Sequence, residues 1–465
     1  MFRNDDIEKI NLNINKIKNE AAEIYKNTYE PTINEISEVF IVIKNYIIKR
    51  KRIIYGGYAQ NLLIKKKNPE GVFYKEINGA CYNWPDLADI EFYSNDPFRD
   101  VIELTEELHS LNFKHVEGKQ GVHDDTFKIF VNFINYCDIT FMTDTIYNSL
   151  PVIMVDDIKC AHPHFMMVDA YRILTDPMTS YWRLDKTISR FQKLIINYPI
   201  NTELAKTTTI NLKKWWNPHI INIDILNYIR NKIITNSQLI IVGFFAYDYY
   251  IKKQNHNDMM VNYPYYELIS SDFSTDALNI YKLLKEKFKN INVKEYFAFI
   301  SFIDKRIEYY YNNNLVLILY SNNNRCTVYN YSKTNLLYIG TFSLVLMYVL
   351  FNYFYFFIKN NKKMVELYNL LISKLYFNRN EFLNNNNLTV IDNSPFQEFT
   401  FKCFGFPVDQ LRQSFLEGFK KKKLGKKIKY TYTPTGKIKE MPKLFYEINS
   451  GNQIFSKNNL TLKNI

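Results

Sequence analysis

The stretch PDLADIEFYS, residues 85–94, places two carboxylates, Asp89 and Glu91, one residue apart. Its alternation of polar and apolar residues predicts a β-strand, and a strand turns alternate side chains to the same face. Both carboxylates therefore point at one spot, where like charges repel each other. A fold keeps such a pair when a cation binds between them, so the stretch indicates a cation-dependent site on a sheet.

Upstream, IIYGGYAQNLLI at 53–64 predicts a short strand, a Gly-Gly turn and a helix. Tyr55, Gly56 and Gly57 would form this turn. Glycine backbone at the start of a helix lets a nucleotide triphosphate approach the N–H groups without side-chain hindrance. The chain contains no G-x-x-x-x-G-K-[ST] motif, so the turn is not a Walker loop.

A third acid, Asp138, lies in CDIT, the second of two strands predicted over 126–133 and 136–141. Three carboxylates at one sheet edge suit hard divalent ions such as Mg²⁺, which prefer oxygen ligands. Two ions about 3.5–4 Å apart can clamp the attacking and leaving oxygens of a phosphoryl transfer. We expect Asp89 and Glu91 to bind both ions and Asp138 to bind the ion that activates the incoming hydroxyl.

Other polar residues have simpler explanations. Asp96 precedes Pro97 and fits a helix start, and Asp124 and Asp125 fit a turn. His162 and His164 flank Pro163, and no third histidine lies near them in the sequence to complete a metal site.

A helix predicted over 165–194 carries residues that could line a nucleotide or RNA groove or simply face solvent. These are Tyr171, Arg172, Arg190 and Lys193. Trp215 and Trp216 could stack on bases, although burial at a domain junction is the simpler interpretation.

The formal net charge is +12, and its distribution is uneven. Residues 420–443 hold ten lysines against one acid, Glu440. Such a segment suits a polyanion, either nucleic acid or an acidic membrane surface, or it is a solvated lysine face.

Two further patterns bear on environment. The five cysteines are scattered without a CxxC pair, which argues against a disulfide framework and for a reducing compartment. An uncharged run at 336–358 is long enough to span a membrane, but its Gly, Thr, Ser and Asn residues favour a buried helix.

The chain also contains an internal repeat. IIVGFFAYDYYI at 240–251 matches 53–64, ELISSDF at 267–273 can be set against DLADIEF, and CTVY at 326–329 against CDIT. In this alignment the second copy replaces Gly57, Asp89 and Asp138 by Phe244, Ser270 and Thr327, and it keeps Asp272 at the place of Glu91. It predicts a scaffold that has lost its chemistry.

The order Tyr55-Gly56-Gly57, Asp89-Ile90-Glu91 and Asp138 resembles the polymerase-beta type of nucleotidyltransferase. With YGGYAQNLL, DIEFYSNDP and HPHFMMVDAYRIL, the chain looks like the catalytic subunit of poxvirus and giant-virus poly(A) polymerases. The resemblance covers residues 30 to 410 and is strongest from 50 to 195. One departure is the gap of thirty-one residues between Gly57 and Asp89, longer than most of the superfamily shows.

The resemblance implies an α/β (α+β) fold, in which a nucleotidyltransferase domain of mixed sheet and flanking helices is followed by a degenerate copy. We expect a helical region at 1–50, the catalytic domain at 51–200, a junction at 201–220, the copy at 221–400 and a basic segment at 401–465.

The implied activity is template-independent AMP addition from ATP to RNA 3′ ends with two Mg²⁺ or Mn²⁺ ions. RNA would contact the cleft and the segment Lys420–Lys429. The resemblance also implies a homodimer, no membrane span, and the host cytoplasm as location, with the virion left open. Two alternatives remain at this point: transfer to a small acceptor, and a non-catalytic RNA-binding or membrane-attached scaffold.

Overall fold

The structure is a computed structural model, and it describes residues 2–29, 31–83, 86–122, 125–208, 210, 222–254, 260–261, 263–296, 303, 305–322, 325–406, 410–425 and 429–436. Asp124, Trp215 and Trp216 lie outside the described residues, as does part of the basic segment.

Two helices open the chain, α1 (Asn4–Tyr29) and α2 (Ile33–Arg50). Thr32 caps α2 by accepting a hydrogen bond from the Glu35 amide at 3.1 Å, as the T-x-x-E pattern predicts. The inner face of α2 buries Phe40, Ile43 and Ile47, which fixes this helix against the first sheet.

The first module is built on a mixed sheet in the order β19-β6-β7-β8-β5-β1-β10-β9. Its strands are β1 (Ile53–Tyr55), β5 (Ile90–Ser94), β6 (Glu117–Gln120), β7 (Thr126–Val131), β8 (Ile134–Phe141), β9 (Val152–Val155), β10 (Ile158–Ala161) and, from the far end of the chain, β19 (Thr431–Tyr432). β1 lies antiparallel to β5 and parallel to β10, and β5 runs parallel to β8.

The helices of this module cover the sheet. They are α3 (Gly56–Lys67), α4 (Pro97–Ser110), α5 (Asp144–Ser149), α6 (Pro163–Leu174), α7 (Pro177–Ser180) and α8 (Leu184–Asn197), followed by α9 (Glu203–Thr207). The continuous helix predicted over 165–194 is therefore wrong. Pro177 lacks an N–H and restricts the residue before it, so the helix ends and restarts.

The long gap after Gly57 contains a small three-stranded sheet, β2-β3-β4. Its strands are β2 (Lys75–Ile77), β3 (Ala80–Asn83) and β4 (Asp86–Leu87). This small sheet accounts for much of the unusually long gap between Gly57 and Asp89.

The second module repeats the first. It follows α10 (Ile223–Tyr228) and a π-helical turn (Ile229–Ile234), and its sheet has the order β13-β14-β15-β12-β11-β17-β16-β18. The strands are β11 (Ile240–Val242), β12 (Tyr266–Ser270), β13 (Ile291–Tyr296), β14 (Arg306–Tyr311), β15 (Asn314–Ser321), β16 (Thr327–Ser332), β17 (Leu337–Gly340) and β18 (Cys403–Phe404). The helices are α11 (Gly243–Ile251), α12 (Phe273–Lys287), α13 (Phe342–Ile358) and α14 (Lys362–Asn385).

Seven strands in each sheet share one order and one set of parallel and antiparallel pairings. Even the register shift in the β7–β8 pair, at Ile129/Phe130, recurs in β14–β15 at Tyr309/Tyr310. The duplication predicted from the sequence is therefore confirmed.

The two modules meet through equivalent helices, α6 and α13. Phe165 packs edge-to-face on Phe354 of α13 with ring centroids 5.2 Å apart, and the Tyr171 hydroxyl is hydrogen-bonded to that of Tyr376 on the following helix, α14. The apolar run at 336–358 thus forms β17 and a helix buried at this interface. Among the described helices, none has the length and apolar character needed to cross a membrane.

After the second module the chain returns to the first. β18 pairs with β16, and Cys403 forms a disulfide with Cys326, which corrects the expectation that the cysteines stay unpaired. Strand pairing joins residues that lie 77 positions apart, so their spacing gave no signal. Helix α15 (Gln410–Lys423) then leads to β19, which pairs with β6 at the sheet edge.

Candidate active site

The Gly-Gly turn between β1 and α3 lies directly against Glu91. Gly56 has φ +69°, in the left-handed region, and a Cβ there would lie 1.5 Å from the Glu91 Oε2 atom. The Gly57 amide donates to the same oxygen at 3.2 Å. Both glycines therefore contact a carboxylate, a role in addition to the phosphate binding that the sequence predicts.

Glu91 lies in β5, in register with Tyr55 on one side and Asp138 on the other. Burial and the Asp138 charge raise the pKa of Glu91 to about 7, against the opposing effect of the Gly57 amide. Tyr55 stacks on Tyr93 at 4.1 Å, and its hydroxyl hydrogen-bonds to Thr140 at 2.7 Å. A carboxylate this strongly perturbed is a candidate ligand for a cation.

Asp89 lies immediately before β5, at the exposed mouth of the site. Although the residue is solvent-exposed, partial desolvation of its carboxylate and the charge of Asp138 raise its pKa. Lys128, Lys186 and Arg190 act in the opposite direction. The residue before the strand therefore belongs to the same electrostatic cluster.

Asp138 lies on β8 and is held by cationic and amide donors. The Lys128 ammonium contacts its two oxygens at 2.7 and 2.6 Å, and the Asn135 amide donates at 2.9 Å. The Lys128 ammonium contacts both oxygens that could bind a metal ion, so Lys128 must move away before Asp138 can coordinate a metal ion.

Helix α8 supplies positive charge that the sequence left undecided. A Cβ on Gly57 would lie 2.6 Å from the Arg190 guanidinium and 2.7 Å from the Tyr74 hydroxyl, to which Arg190 donates. One turn earlier, burial and Arg190 lower the pKa of Lys186, while Asp89 and Glu91 raise it. The spacing of four residues places Lys186 and Arg190 on one face of α8, which the sequence could indicate. Only the fold shows that this face meets the Gly-Gly turn.

The second module also reaches this region. Arg325, between β15 and β16, lies within electrostatic reach of Arg172, Asp176 and Asp169 of the first module. Burial and the Arg172 charge lower the pKa of Arg325 to about 9. Asp169 in turn raises the pKa of Glu91, so one acid of the first module interacts with both Arg325 and the site.

The carboxylates suit a hard dication in their chemistry. All three offer oxygen ligands, burial and acidic neighbours raise the pKa of both Asp89 and Glu91, and Asp138 already holds a cationic group. Within the part of the chain that is described, no three Asp, Glu, His or Cys side chains form a group that could hold a metal ion in the present geometry. Coordination would therefore require side-chain rearrangement, with Lys128 leaving Asp138.

The remaining candidates have structural roles. Asp96 caps α4 by accepting from the Arg99 amide, and His162 caps α6 by accepting from the His164 amide. Lys193 donates to the Val72 carbonyl at 3.3 Å.

Strand register corrects the residue matches within the repeat. Ile53 and Ile240 occupy equivalent positions, so Glu267 corresponds to Glu91 and Ile318 to Asp138. By the same register Tyr265 corresponds to Asp89. The matches to Asp272, Ser270 and Thr327 were wrong, while that of Phe244 to Gly57 holds.

The equivalent glutamate of the second module is also seated on a glycine. Gly243 has φ +63°, and a Cβ there would lie 2.1 Å from the Glu267 Oε1 atom. Burial raises the pKa of Glu267 to about 7, opposed by hydrogen bonds from Tyr320 at 3.0 Å and Asn352 at 3.3 Å. Here the hydrogen-bonding partners of the carboxyl group are neutral, and the charges of Arg306 and Glu308 act on its pKa in opposite directions.

The comparisons with known proteins point in one direction. A family described as "Poly(A) polymerase catalytic subunit" matches residues 41–180, and "APMV, Putative poly(A) polymerase, catalytic subunit, C-terminal" matches residues 196–464. A protein of Acanthamoeba polyphaga mimivirus, described as "Putative poly(A) polymerase catalytic subunit", is 31% identical over 437 residues, covering 87% of this chain and 73% of its own length.

More distant and structural relatives agree. A protein of African swine fever virus (strain Badajoz 1971 Vero-adapted) with the same description is 24% identical over 46% of this chain and 40% of its own length. The crystal structure of the Megavirus polyadenylate synthase has a TM-score of 0.79 and 30% identity, covering 93% of this chain and 86% of that one.

Proposed function

Since this chain belongs to the family of viral poly(A) polymerase catalytic subunits, and is therefore a polynucleotide adenylyltransferase, we propose that it adds AMP from ATP to RNA 3′ ends with two divalent ions. The observation that carries the proposal is the coupled carboxylate cluster of Asp89, Glu91 and Asp138. It lies beside the Gly-Gly turn and faces the cations of α8.

In the proposed reaction the RNA 3′-hydroxyl oxygen bonds to the α-phosphorus of ATP. The bond from that phosphorus to the bridging oxygen breaks, and pyrophosphate leaves. Bound Mg²⁺ or Mn²⁺ would lower the pKa of the hydroxyl and neutralise charge on the leaving group. Asp89 and Glu91 would hold both ions, and Asp138 would hold the ion beside the hydroxyl and help to remove its proton.

The cations of α8 would bind the triphosphate. Arg190 lies against Gly57, and Lys186 is within electrostatic reach of Asp89 and Glu91. A planar guanidinium can contact two phosphate oxygens at once, so Arg190 can orient the phosphates over the Gly-Gly turn. Tyr55, Gly56 and Gly57 would complete the nucleotide site.

An incorporation assay separates the reaction classes. The full chain is incubated with labelled ATP, Mg²⁺ or Mn²⁺ and a short RNA ending in a 3′-hydroxyl, and a matched RNA ending in a 3′-deoxynucleotide is the control. We expect extension of the first RNA alone. Label found only in small acceptors would favour the first alternative, and no incorporation of any nucleotide would favour a scaffold.

Metal binding has a readout that is independent of turnover. Free and bound Mn²⁺ differ in their electron paramagnetic resonance signals, so binding can be titrated without substrate. Glu91→Gln and Asp138→Asn should each weaken Mn²⁺ binding, since each removes a charged oxygen ligand. Unchanged Mn²⁺ affinity in a folded variant would remove that residue from the metal site.

The basic segment would contact RNA phosphates. Lys420–Lys423 end α15, whereas the Lys429 ammonium donates to the Gly121 carbonyl at 2.6 Å within the chain. Replacing the four lysines by glutamine should flatten the salt dependence of RNA binding by about 0.7 in log–log slope per lost contact. Lys429→Gln is the matched control with one intramolecular contact, and equal slopes in all three proteins would refute the assignment.

By family resemblance we extend the proposal to a homodimer that acts in the host cytoplasm. Solution mass and fractionation of infected cells would test these two statements separately.

A further inference from the structure

Helix α1 carries a strict heptad pattern. Its apolar residues recur at alternating intervals of three and four positions, namely Ile7, Ile10, Ile14, Ile17, Ala21 and Ile24. This interval averages 3.5 residues, slightly less than the roughly 3.6 residues of one α-helical turn, and it is the spacing of a coiled-coil seam. We refer to these six residues as the α1 seam.

Within the part of the chain that the structure describes, the α1 seam is not covered by the hydrophobic core. Every residue from Asn11 to Tyr25 is exposed, and Ile14, Ile17 and Ile24 keep 41%, 47% and 66% of their surface in solvent. Among the described side chains of α1, none belongs to the hydrophobic core or packs against it, in contrast to the buried face of α2. A single helix that exposes a continuous row of isoleucines requires a covering partner.

The flanking charges favour a parallel partner. With Ile7 and Ile14 at a positions, the g positions hold Asp6, Asn13 and Glu20, and the e positions hold Asn11, Lys18 and Tyr25. A parallel in-register pair sets each g residue against the e residue five positions later in its partner, and no like charges meet. A symmetric antiparallel pair with the same seam would set Asp6 against Glu20 and Lys18 against itself.

We propose that the α1 seam pairs with the same helix of a second copy in a parallel, in-register coiled coil. This inference rests on the homodimer in the proposed function and names its contact surface. The helix is joined to the catalytic module through α2, where Tyr46 hydrogen-bonds to Asp100 at 2.7 Å and Arg50 pairs with Glu103 at 2.6 Å. Pairing would therefore hold two catalytic modules at one end of the coiled coil.

The first test compares two substitutions on the same helix. Ile14→Asp places a charge in the seam, and Leu12→Asp places the same charge on the outer face, where Leu12 is 78% exposed. Sedimentation equilibrium of the full chain should show a dimer that Ile14→Asp weakens on the order of 100-fold and Leu12→Asp leaves within about threefold, since a charge buried in a seam loses its hydration.

The second test reports orientation. In the parallel register residue 14 lies beside residue 14 of the partner, within reach of a disulfide, while position 12 faces away. The natural cysteines are buried or already paired, so mild oxidation should link Ile14→Cys dimers and not Leu12→Cys dimers. Circular dichroism and AMP incorporation would verify that each variant is folded.

The outcomes are distinguishable. A monomeric wild-type chain would overturn both the seam and the homodimer but leave catalysis standing. A dimer that survives Ile14→Asp would place the interface elsewhere, and a trimeric mass would overturn pairing by two. A dimer that Ile14→Asp dissociates but Ile14→Cys does not link would overturn the parallel register.

Discussion

The two modules share a backbone and differ in the neighbours of one glutamate. Glu91 and Glu267 occupy the same position on equivalent strands, each against a glycine with positive φ, and burial raises the pKa of each to about 7. Around Glu91 lie Asp138 and Asp89. Around Glu267 lie a tyrosine hydroxyl and an asparagine amide.

This difference separates scaffold from chemistry. Because the Gly–Glu contact recurs in the module without the other acids, burial of a glutamate at this turn is a property of the fold. The candidate active site is defined by what surrounds that contact in the first module, namely Asp89, Asp138 and the cations of α8. The following predictions contrast the modules directly.

The largest contrast is expected in turnover. Glu91→Gln keeps the shape of the side chain but removes a charge that the reaction requires, and it should reduce AMP addition by at least roughly 10²–10³-fold. Glu267→Gln should change turnover by less than about threefold. Steady-state incorporation by folded protein measures both, and similar losses would mean that the second module takes part in catalysis.

The second contrast is in the pH dependence of stability. Glu267 has a pKa of about 7 in the folded chain, against about 4.5 in the unfolded chain, so folding favours the neutral form of its carboxyl group. The stabilisation is complete below pH 4.5 and is lost as pH rises to 7, at a cost of about 3 kcal/mol. Glu267→Gln should abolish this loss and raise the free energy of unfolding at pH 8, as measured by urea denaturation at pH 5 and pH 8.

Divalent ions should distinguish the two glutamates in the same experiment. If Glu91 binds metal, Mn²⁺ will lower the pKa of Glu91 and reduce its contribution to the pH dependence of the free energy of unfolding. The contribution of Glu267 will remain. Parallel pH profiles for the wild type and Glu267→Gln would contradict the prediction that Glu267 is held neutral.

The third contrast uses the paired glycines. Alanine at Gly56 or Gly243 would be strained by about 1–2 kcal/mol at positive φ, and its Cβ would displace the glutamate carboxylate. Both variants should lose stability to a similar extent in thermal unfolding. Only Gly56→Ala should also reduce the turnover of each folded molecule. An equal loss of turnover in Gly243→Ala would show that the second module also takes part in catalysis.

Much of the catalytic fold could be predicted from sequence. β1, the Gly-Gly turn, α4 and the strands around Asp138 follow from local patterns of apolar residues, glycine and caps. Arg190 could not be assigned, because nothing local shows that α8 returns to Gly57. The disulfide was missed for the same reason, since pairing of β16 with β18 is non-local.

The repeat shows how residue type can mislead. Thirty-five residues lie between Tyr55 and Glu91, but twenty-four lie between Val242 and Glu267, and the first module fills its longer connection with the β2-β3-β4 sheet. An alignment that keeps similar spacing therefore slides past Glu267 to the next acid, Asp272. Strand pairing fixes the true register, since a buried face tolerates no slip.

The smallest contrast concerns that acid. In register, Asp272 corresponds to Asp96, and each precedes a helix while its amide donates to a serine hydroxyl, at 3.0 Å for Asp272 and 2.9 Å for Asp96. Asp96 also caps α4 through the Arg99 amide at 3.3 Å, a bond that the Asp272 side chain does not make in α12. Asp96→Ala should therefore cost about 1 kcal/mol of unfolding free energy and Asp272→Ala less, with turnover nearly unchanged in both. Urea denaturation and incorporation assays on the two variants measure this, and a loss of activity in folded Asp272→Ala comparable to that of Glu91→Gln would show that the second module retains a catalytic acid after all.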